Sequence, residues 1–212
     1  MKDYVFIAPF YDCLLSPFIR SIRRDVLETV LRLQPENVLD VACGTGDQLR
    51  LLAENSIAAV GVDMSEAMLK ICRKTNPVAD CLLQDATQMA FQNERFDLAM
   101  ISFALHETGW KSASGILEEI HRVLKPSGHL LVVDYANSQE TPFYVRQTIR
   151  MIEFMAGRRH FRNFCTYRLK GGLTTLIGKN RFRLVASTYR ASRSIAIQLF
   201  QRLEPKKRVH FP

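Results

Sequence analysis

The chain has 212 residues, of which 47% are hydrophobic and 24% charged, with a formal net charge of +8. That length supports one well-cored domain and leaves too little for two. No apolar run approaches the roughly 20 residues that span a bilayer, and Met1-Lys2-Asp3-Tyr4 opens no basic-then-apolar leader, so a cytoplasmic protein is expected.

Short apolar runs alternate with helix-like stretches, which predicts βαβ units and a parallel sheet. Ser16-Pro17 has the form of an N-cap followed by Pro at the first helical position, predicting a helix from there to about Leu33, with Pro35 ending it. Val38–Ala42 is the first strand, Gly46 to about Asn55 a helix, and Ala58–Val62 the second strand. Ser65 caps a helix running to about Lys74, with Glu66 in its first turn. Cys81–Gln84 belongs to a third strand. Phe96–Phe103 is a fourth, whose continuous apolar run suits burial on both faces. A helix is predicted over about 113–124, a turn at Lys125-Pro126-Ser127-Gly128, and a fifth strand over Leu130–Tyr135. Residues 141–178 read as two helices rich in Phe, Met, Tyr and Arg. Phe182–Tyr189 and Ser194–Phe200 are the last strands, and the short turn between them requires an antiparallel pair. The fold expected is α/β: a Rossmann-like, seven-stranded, mostly parallel sheet flanked by helices and closed by a C-terminal hairpin. The expected organisation is a single domain over 1–212, with a helical cap (1–35), a core (36–140), a helical insert (141–178) and the hairpin (179–204).

Residues 1–140 hold 13 Lys and Arg against 19 Asp and Glu, a balance of −6; residues 141–212 hold 16 against 2, a balance of +14. A basic C-terminal third can face anionic lipid, nucleic acid or an anionic substrate, or can be a solvated face balancing the acidic part. Pro205-Lys206-Lys207-Arg208 is expected to be an exposed tail. The five cysteines (Cys13, Cys43, Cys72, Cys81 and Cys165) have no zinc-ligand spacing and are expected to be reduced thiols.

The chemistry concentrates at predicted strand ends, where open α/β sheets bind ligands. Val38-Leu39-Asp40-Val41-Ala42-Cys43-Gly44-Thr45-Gly46 is a buried strand running into a turn with little side-chain bulk. Asp63 ends the second strand, Asp85-Ala86 follows the third and Ser102-Phe103 ends the fourth. A turn that lets backbone approach closely, plus an acid that accepts two hydroxyl hydrogen bonds, suits a nucleoside with a charged tail. A dinucleotide fits poorly. Leu49 stands where its fingerprint wants Gly or Ala, and Asp47 would set a carboxylate where a pyrophosphate meets the helix. No Gly-Lys-Ser/Thr follows, which excludes a P-loop. A ligand with an ammonium group and no phosphate fits better. Taken singly, Asp40 reads equally as a carboxylate satisfying its loop, Asp63 as a helix cap and Ser102 as a satisfied strand-end hydroxyl.

In order, these segments resemble the class I S-adenosylmethionine-dependent methyltransferases, over about residues 36–135. The matching runs are Val38–Asp47, Gly61–Leu69, Gln84-Asp85-Ala86, Phe96–Phe103 and Val123-Leu124-Lys125-Pro126-Ser127-Gly128. The Ala-x-Gly-Thr-Gly-Asp form and the Ile-Ser-Phe after the fourth strand are most similar to the C-methyltransferases of ubiquinone and menaquinone biosynthesis. The resemblance implies S-adenosylmethionine as cofactor. It places the methionine amino group on Asp40 and the backbone of Ala42, Cys43, Gly44, Thr45 and Gly46, with Thr45 near the carboxylate. It places the ribose hydroxyls on Asp63, adenine against Met64, and the adenine edge on Asp85 and the Ala86 N–H. Ser102 would lie near the reacting methyl. Tyr11, in Phe10-Tyr11-Asp12, is similar to the aromatic that closes over the cofactor in many relatives, or is a core residue.

An activated methyl needs a nucleophile held on its axis in a dry pocket, and a phenol or quinol must also lose a proton. His106, just past the fourth strand, is the candidate catalytic base, with Glu107 beside it to orient the ring or bind a cation; capping the next helix or facing solvent is its plainer role. His121, His129, His160 and His210 are expected to serve surface or packing roles, and no metal cluster is expected. Here the chain departs from the quinone-pathway enzymes, which carry Phe-Gly-Leu-Arg-Asn in place of Phe103-Ala104-Leu105-His106-Glu107. Phe143, Tyr144, Phe154, Met155, Arg158, Arg159, Phe161 and Phe164 lie where such enzymes cover their acceptor. Aromatic and Met residues among Arg suit a small or lipid-like acceptor, a quinol or phenol, and peripheral contact with anionic membrane. A phospholipid or small-amine acceptor is the alternative, with RNA below it because no RNA-binding appendage is recognisable. A cofactor-binding, non-catalytic partner subunit would preserve the same residues. The oligomeric state is left open.

Overall fold

A computed structural model describes the backbone of residues 4–204 apart from 78, 179 and 180, and side chains from residue 19 onward within that range. The strands are β1 (Val38–Val41), β2 (Ala59–Asp63), β3 (Asp80–Leu83), β4 (Phe96–Ser102), β5 (Leu124–Tyr135), β6 (Phe182–Arg190) and β7 (Ile195–Arg202). They form one sheet in the order β3-β2-β1-β4-β5-β7-β6. All neighbours are parallel except β5–β7 and β7–β6. The order reverses between β1 and β4, which places a crevice at their carboxyl ends. The Rossmann-like arrangement with a terminal antiparallel hairpin is therefore the expected one.

Burial on both faces accounts for the unbroken apolar strands. Leu39, Val41, Ala99, Ile101 and Val132 pack one way, against α4 (Trp110–Val123) and α7 (Gly172–Ile177). Val38, Leu98, Met100, Leu131 and Val133 pack the other way, with Ile22, Val26 and Val30 of α1 (Tyr4–Leu33). α2 (Asp47–Glu54) and α3 (Glu66–Thr75) complete the first half of the molecule, and Ser65 caps α3 by accepting from the Met68 N–H.

Four expectations are corrected. α1 starts at Tyr4 and runs through Ser16-Pro17, so the Ser-Pro pair is interior and caps nothing. The Lys125–Gly128 turn is a bulge inside β5: Phe96 pairs with Leu124 and Leu98 already pairs with His129. Residues 141–178 form three helices, α5 (Phe143–Met155), α6 (Arg158–Leu169) and α7, because Gly157 (φ 116°) and Gly171 (φ 94°) each break the run. Cys72 and Cys81 are joined as a disulfide, since α3 packs back on β3 and brings them together; Cys43 and Cys165 are free. Cys13 and the 205–208 tail lie outside the described side chains.

Candidate active site

Two groups of residues lie along the carboxyl edge of the sheet. The first is the turn after β1. Gly44 (φ 56°) and Gly46 (φ 75°) hold left-handed backbone, as does Ala42 (φ 58°). A Cβ on Gly46 would lie 2.3 Å from Cys72 Sγ, so only glycine fits beneath α3. A Cβ on Gly44 would meet nothing within 4 Å, so the loop is open on that side. Asp63 braces the turn: Oδ2 accepts from the Gly44 N–H at 2.8 Å and Oδ1 from the Ser65 N–H at 2.8 Å. It thus ties two loops together; the cap of α3 is Ser65.

Asp40 is buried, and burial pushes its pKa up to about 7; Arg23 opposes that rise and Asp63 adds to it. A buried carboxylate of this kind favours a cationic partner. Burial likewise raises the Cys43 thiol, which stays protonated. Met64 is 64% exposed directly after β2, an apolar surface beside Asp63. Asp85 accepts from the Thr87 N–H and hydroxyl through Oδ1, and both bonds hold its pKa down. Ser102 is half-buried at the end of β4, next to Phe103 (φ 55°). Asp40, Ala42–Gly46, Asp63, Met64, Asp85, Ala86 and Ser102 therefore occupy the ends of neighbouring strands, as their order predicts. The side chain of Tyr11 lies outside the described residues.

The second group surrounds His106, which is 4% exposed and neither caps a helix nor faces solvent. Its Nδ1 lies 2.6 Å from Asp134 Oδ1. Asp134 is fixed in turn by the N–H groups of Leu105, His106 and Tyr135. His106 Nε2 points toward Glu153 Oε2 at 3.7 Å, and His160 Nε2 is 2.5 Å from the same oxygen. Tyr135 donates its hydroxyl to Glu153 Oε1 at 2.8 Å. Burial opposes a charge on His106, but Asp134, Glu153 and Glu107 outweigh it and raise the pKa to about 9. Burial also opposes the charge on Glu153, yet His160 and His106 hold its pKa below the usual value. Sequence spacing predicts no metal cluster, but in space His106, Glu153 and His160 bring three potential ligand atoms within 4.8 Å of one another. Asp134 and Glu153 are not singled out by sequence, and His160, expected in a surface or packing role, is largely buried against Glu153. One signal exists: Glu153 is one of only two acids after residue 140.

Residues 38–128 match the family described as a methyltransferase domain. A demethylmenaquinone methyltransferase of Renibacterium salmoninarum is 33% identical over 159 residues, 72% of this chain and 66% of that protein. The enzyme of the same name from Thermotoga maritima is 33% identical over 114 residues, 53% and 49% of the two chains. In fold, the chain is similar to the PH0226 protein of Pyrococcus horikoshii OT3, with a TM-score of 0.64 at 20% identity, covering 85% of this chain and 91% of that one. The methyltransferase-domain match and the demethylmenaquinone methyltransferase relatives support membership of the class I S-adenosylmethionine-dependent methyltransferases, and the fold agrees with it. Within that class it is similar to demethylmenaquinone methyltransferases, and it spans 66% and 49% of the length of these two enzymes. S-adenosylmethionine is the cofactor of the family. The open Gly44 turn, the buried Asp40 carboxylate and the exposed Met64 fit its backbone contact, its ammonium and its adenine.

Proposed function

We propose that this chain transfers the methyl group of S-adenosylmethionine to a small or lipid-like acceptor, a quinol or phenol first of all. The observation that carries the reading is the juxtaposition of the β1–β2 cradle with a buried His–carboxylate pair one strand further along the same edge. When bound, the cofactor supplies an activated methyl. Asp40 and the Ala42–Gly46 backbone take its amino-acid end, with Thr45 at the carboxylate. Asp63, already oriented by two N–H donors, takes the ribose hydroxyls. Met64, Asp85 and Ala86 hold the adenine, and Ser102 stands nearest the acceptor group. Asp134 receives the His106 Nδ1–H, so Nε2 is the atom that would take the acceptor's proton; with the pKa raised to about 9 only the deprotonated ring can do so, and turnover should rise with pH toward 9.

A lipid-like acceptor is supported by the outer face of the insert. Phe143, Tyr144, Met151, Phe154 and Met155 of α5 are each more than half exposed, and Arg150, Arg158, Arg159 and Arg162 are exposed beside them. Apolar rings among arginines suit an anionic bilayer surface, where cations meet headgroups and rings enter the interface. No helix among the described residues is long and apolar enough to cross a membrane.

The test is transfer of labelled methyl to a panel of reduced demethylated quinols, phenols, amines and RNA presented with detergent. A quinol or phenol should be labelled in preference. Labelling of amines or RNA alone would overturn the acceptor class. Cofactor binding with no transfer to any member would favour a non-catalytic subunit. His106→Ala should lower kcat by roughly 100-fold or more while leaving cofactor affinity within a few-fold. Unchanged kcat would remove His106 from catalysis. Sedimentation with phosphatidylglycerol vesicles should fall as salt rises. Binding indifferent to salt and lipid charge would end the membrane contact.

A further inference from the structure

We propose that His106, Glu153 and His160 form a binding site for a divalent transition-metal ion, filled through His106 Nε2, Glu153 Oε2 and His160 Nε2. Two imidazoles and one carboxylate converge from the loop after β4, from α5 and from α6, within 4.8 Å of one another. That donor set suits zinc, iron(II) or cobalt(II) over magnesium or calcium, which prefer all-oxygen shells.

The surroundings argue for the site more strongly than the three donors do. Ligating groups are ordinarily held by outer partners at the atom that does not bind the metal, and each of these three is. His106 Nδ1 is on Asp134 Oδ1 at 2.6 Å, which points Nε2 inward. Glu153 Oε1 receives the Tyr135 hydroxyl at 2.8 Å, which leaves Oε2 for the centre. His160 Nδ1 faces Glu107 Oε2 at 3.4 Å. Glu107 is tied to α6 because Asn163 donates to its carbonyl at 2.7 Å. Glu153 is also the buried residue of α5, a carboxylate where a surface helix normally buries an apolar side chain.

The two spacings to Glu153 require little movement. Ligands at about 2.0–2.2 Å in a tetrahedron lie roughly 3.3 Å apart. The His106–Glu153 pair is at 3.7 Å, and the His160–Glu153 pair at 2.5 Å opens by less than ~1 Å. His160, with 11% of its side chain exposed, lies at the solvent side and provides the entry path. Three protein donors leave at least one position for water or an oxygen ligand. Because the ion and a proton compete for His106 Nε2, a bound ion would replace that ring's role as a base. The site itself does not depend on the methyl acceptor.

The experiment uses the full chain, stripped with chelator, and titrates zinc by calorimetry and cobalt(II) by absorption. The expected result is one equivalent of zinc, with a cobalt(II) visible spectrum of low-coordinate nitrogen and oxygen ligation. His160→Ala, at the rim, and Glu153→Gln, which keeps shape, should each weaken zinc binding by at least 100-fold with the thermal transition retained. His129→Ala, distant on β5, should leave it unchanged. No saturable binding by the folded wild-type chain would overturn the site. So would zinc binding undiminished in both His160→Ala and Glu153→Gln, or a cobalt spectrum showing thiolate charge transfer. None of these readouts requires methyl transfer, so the site and the proposed activity fail separately.

Discussion

At the scale of single residues, the cradle is held by backbone geometry and two carboxylates. Gly46 is the least replaceable position: left-handed φ and a Cβ position 2.3 Å from Cys72 Sγ act together. Gly46→Ala is expected to cost about 2 kcal/mol or more, read as a lowered midpoint in chemical unfolding; an unchanged midpoint would show that α3 yields freely. Asp40 gives a pH dependence of defined sign. Its folded pKa is raised to about 7, so the cofactor-free protein loses stability as pH rises from about 4 to 7. The carboxylate that meets the cofactor ammonium is depleted below about 7. Affinity for S-adenosylmethionine should therefore fall about tenfold per pH unit below that point. Calorimetry across pH 5 to 8 measures this, and Asp40→Asn should flatten the profile.

At the scale of elements, legibility followed burial. β1, β4 and β5 showed in sequence because strands buried on both faces are apolar without interruption. Leu98→Ala, in a residue wholly buried at the centre of the sheet, should cost 2–5 kcal/mol in chemical unfolding. A smaller loss would mean that α1 follows the cavity inward. The start of α1 was misread because Ser16-Pro17 gives the same local signal inside a helix as at its beginning. Two helices over 141–178 allow one break where there are two, at Gly157 and at the left-handed pair Gly171-Gly172 (φ 94° and 65°). The cradle was legible because its members sit in short motifs at fixed distances along the chain. The His106 cluster was not. Asp134, Glu153 and His160 come from three later elements, share no motif, and meet only once α5 and α6 fold over the sheet edge.

At the scale of the molecule, charge and chemistry divide along the chain. The acidic first two thirds build the cradle at β1, β2 and β3, and the basic last third supplies the insert and the hairpin. β5 and β7 bind the two parts into one sheet, and His106, held by Asp134 at the end of β5, faces Glu153 of the insert. The most direct measurement of the account is calorimetric titration of S-adenosylmethionine into the wild-type chain and Asp63→Ala at neutral pH. Wild type should bind one equivalent. The variant, lacking two charge-assisted bonds and the brace on the Gly44 turn, should bind at least 10- to 100-fold more weakly. No binding by the folded wild-type chain, or equal affinity in the variant, would contradict it.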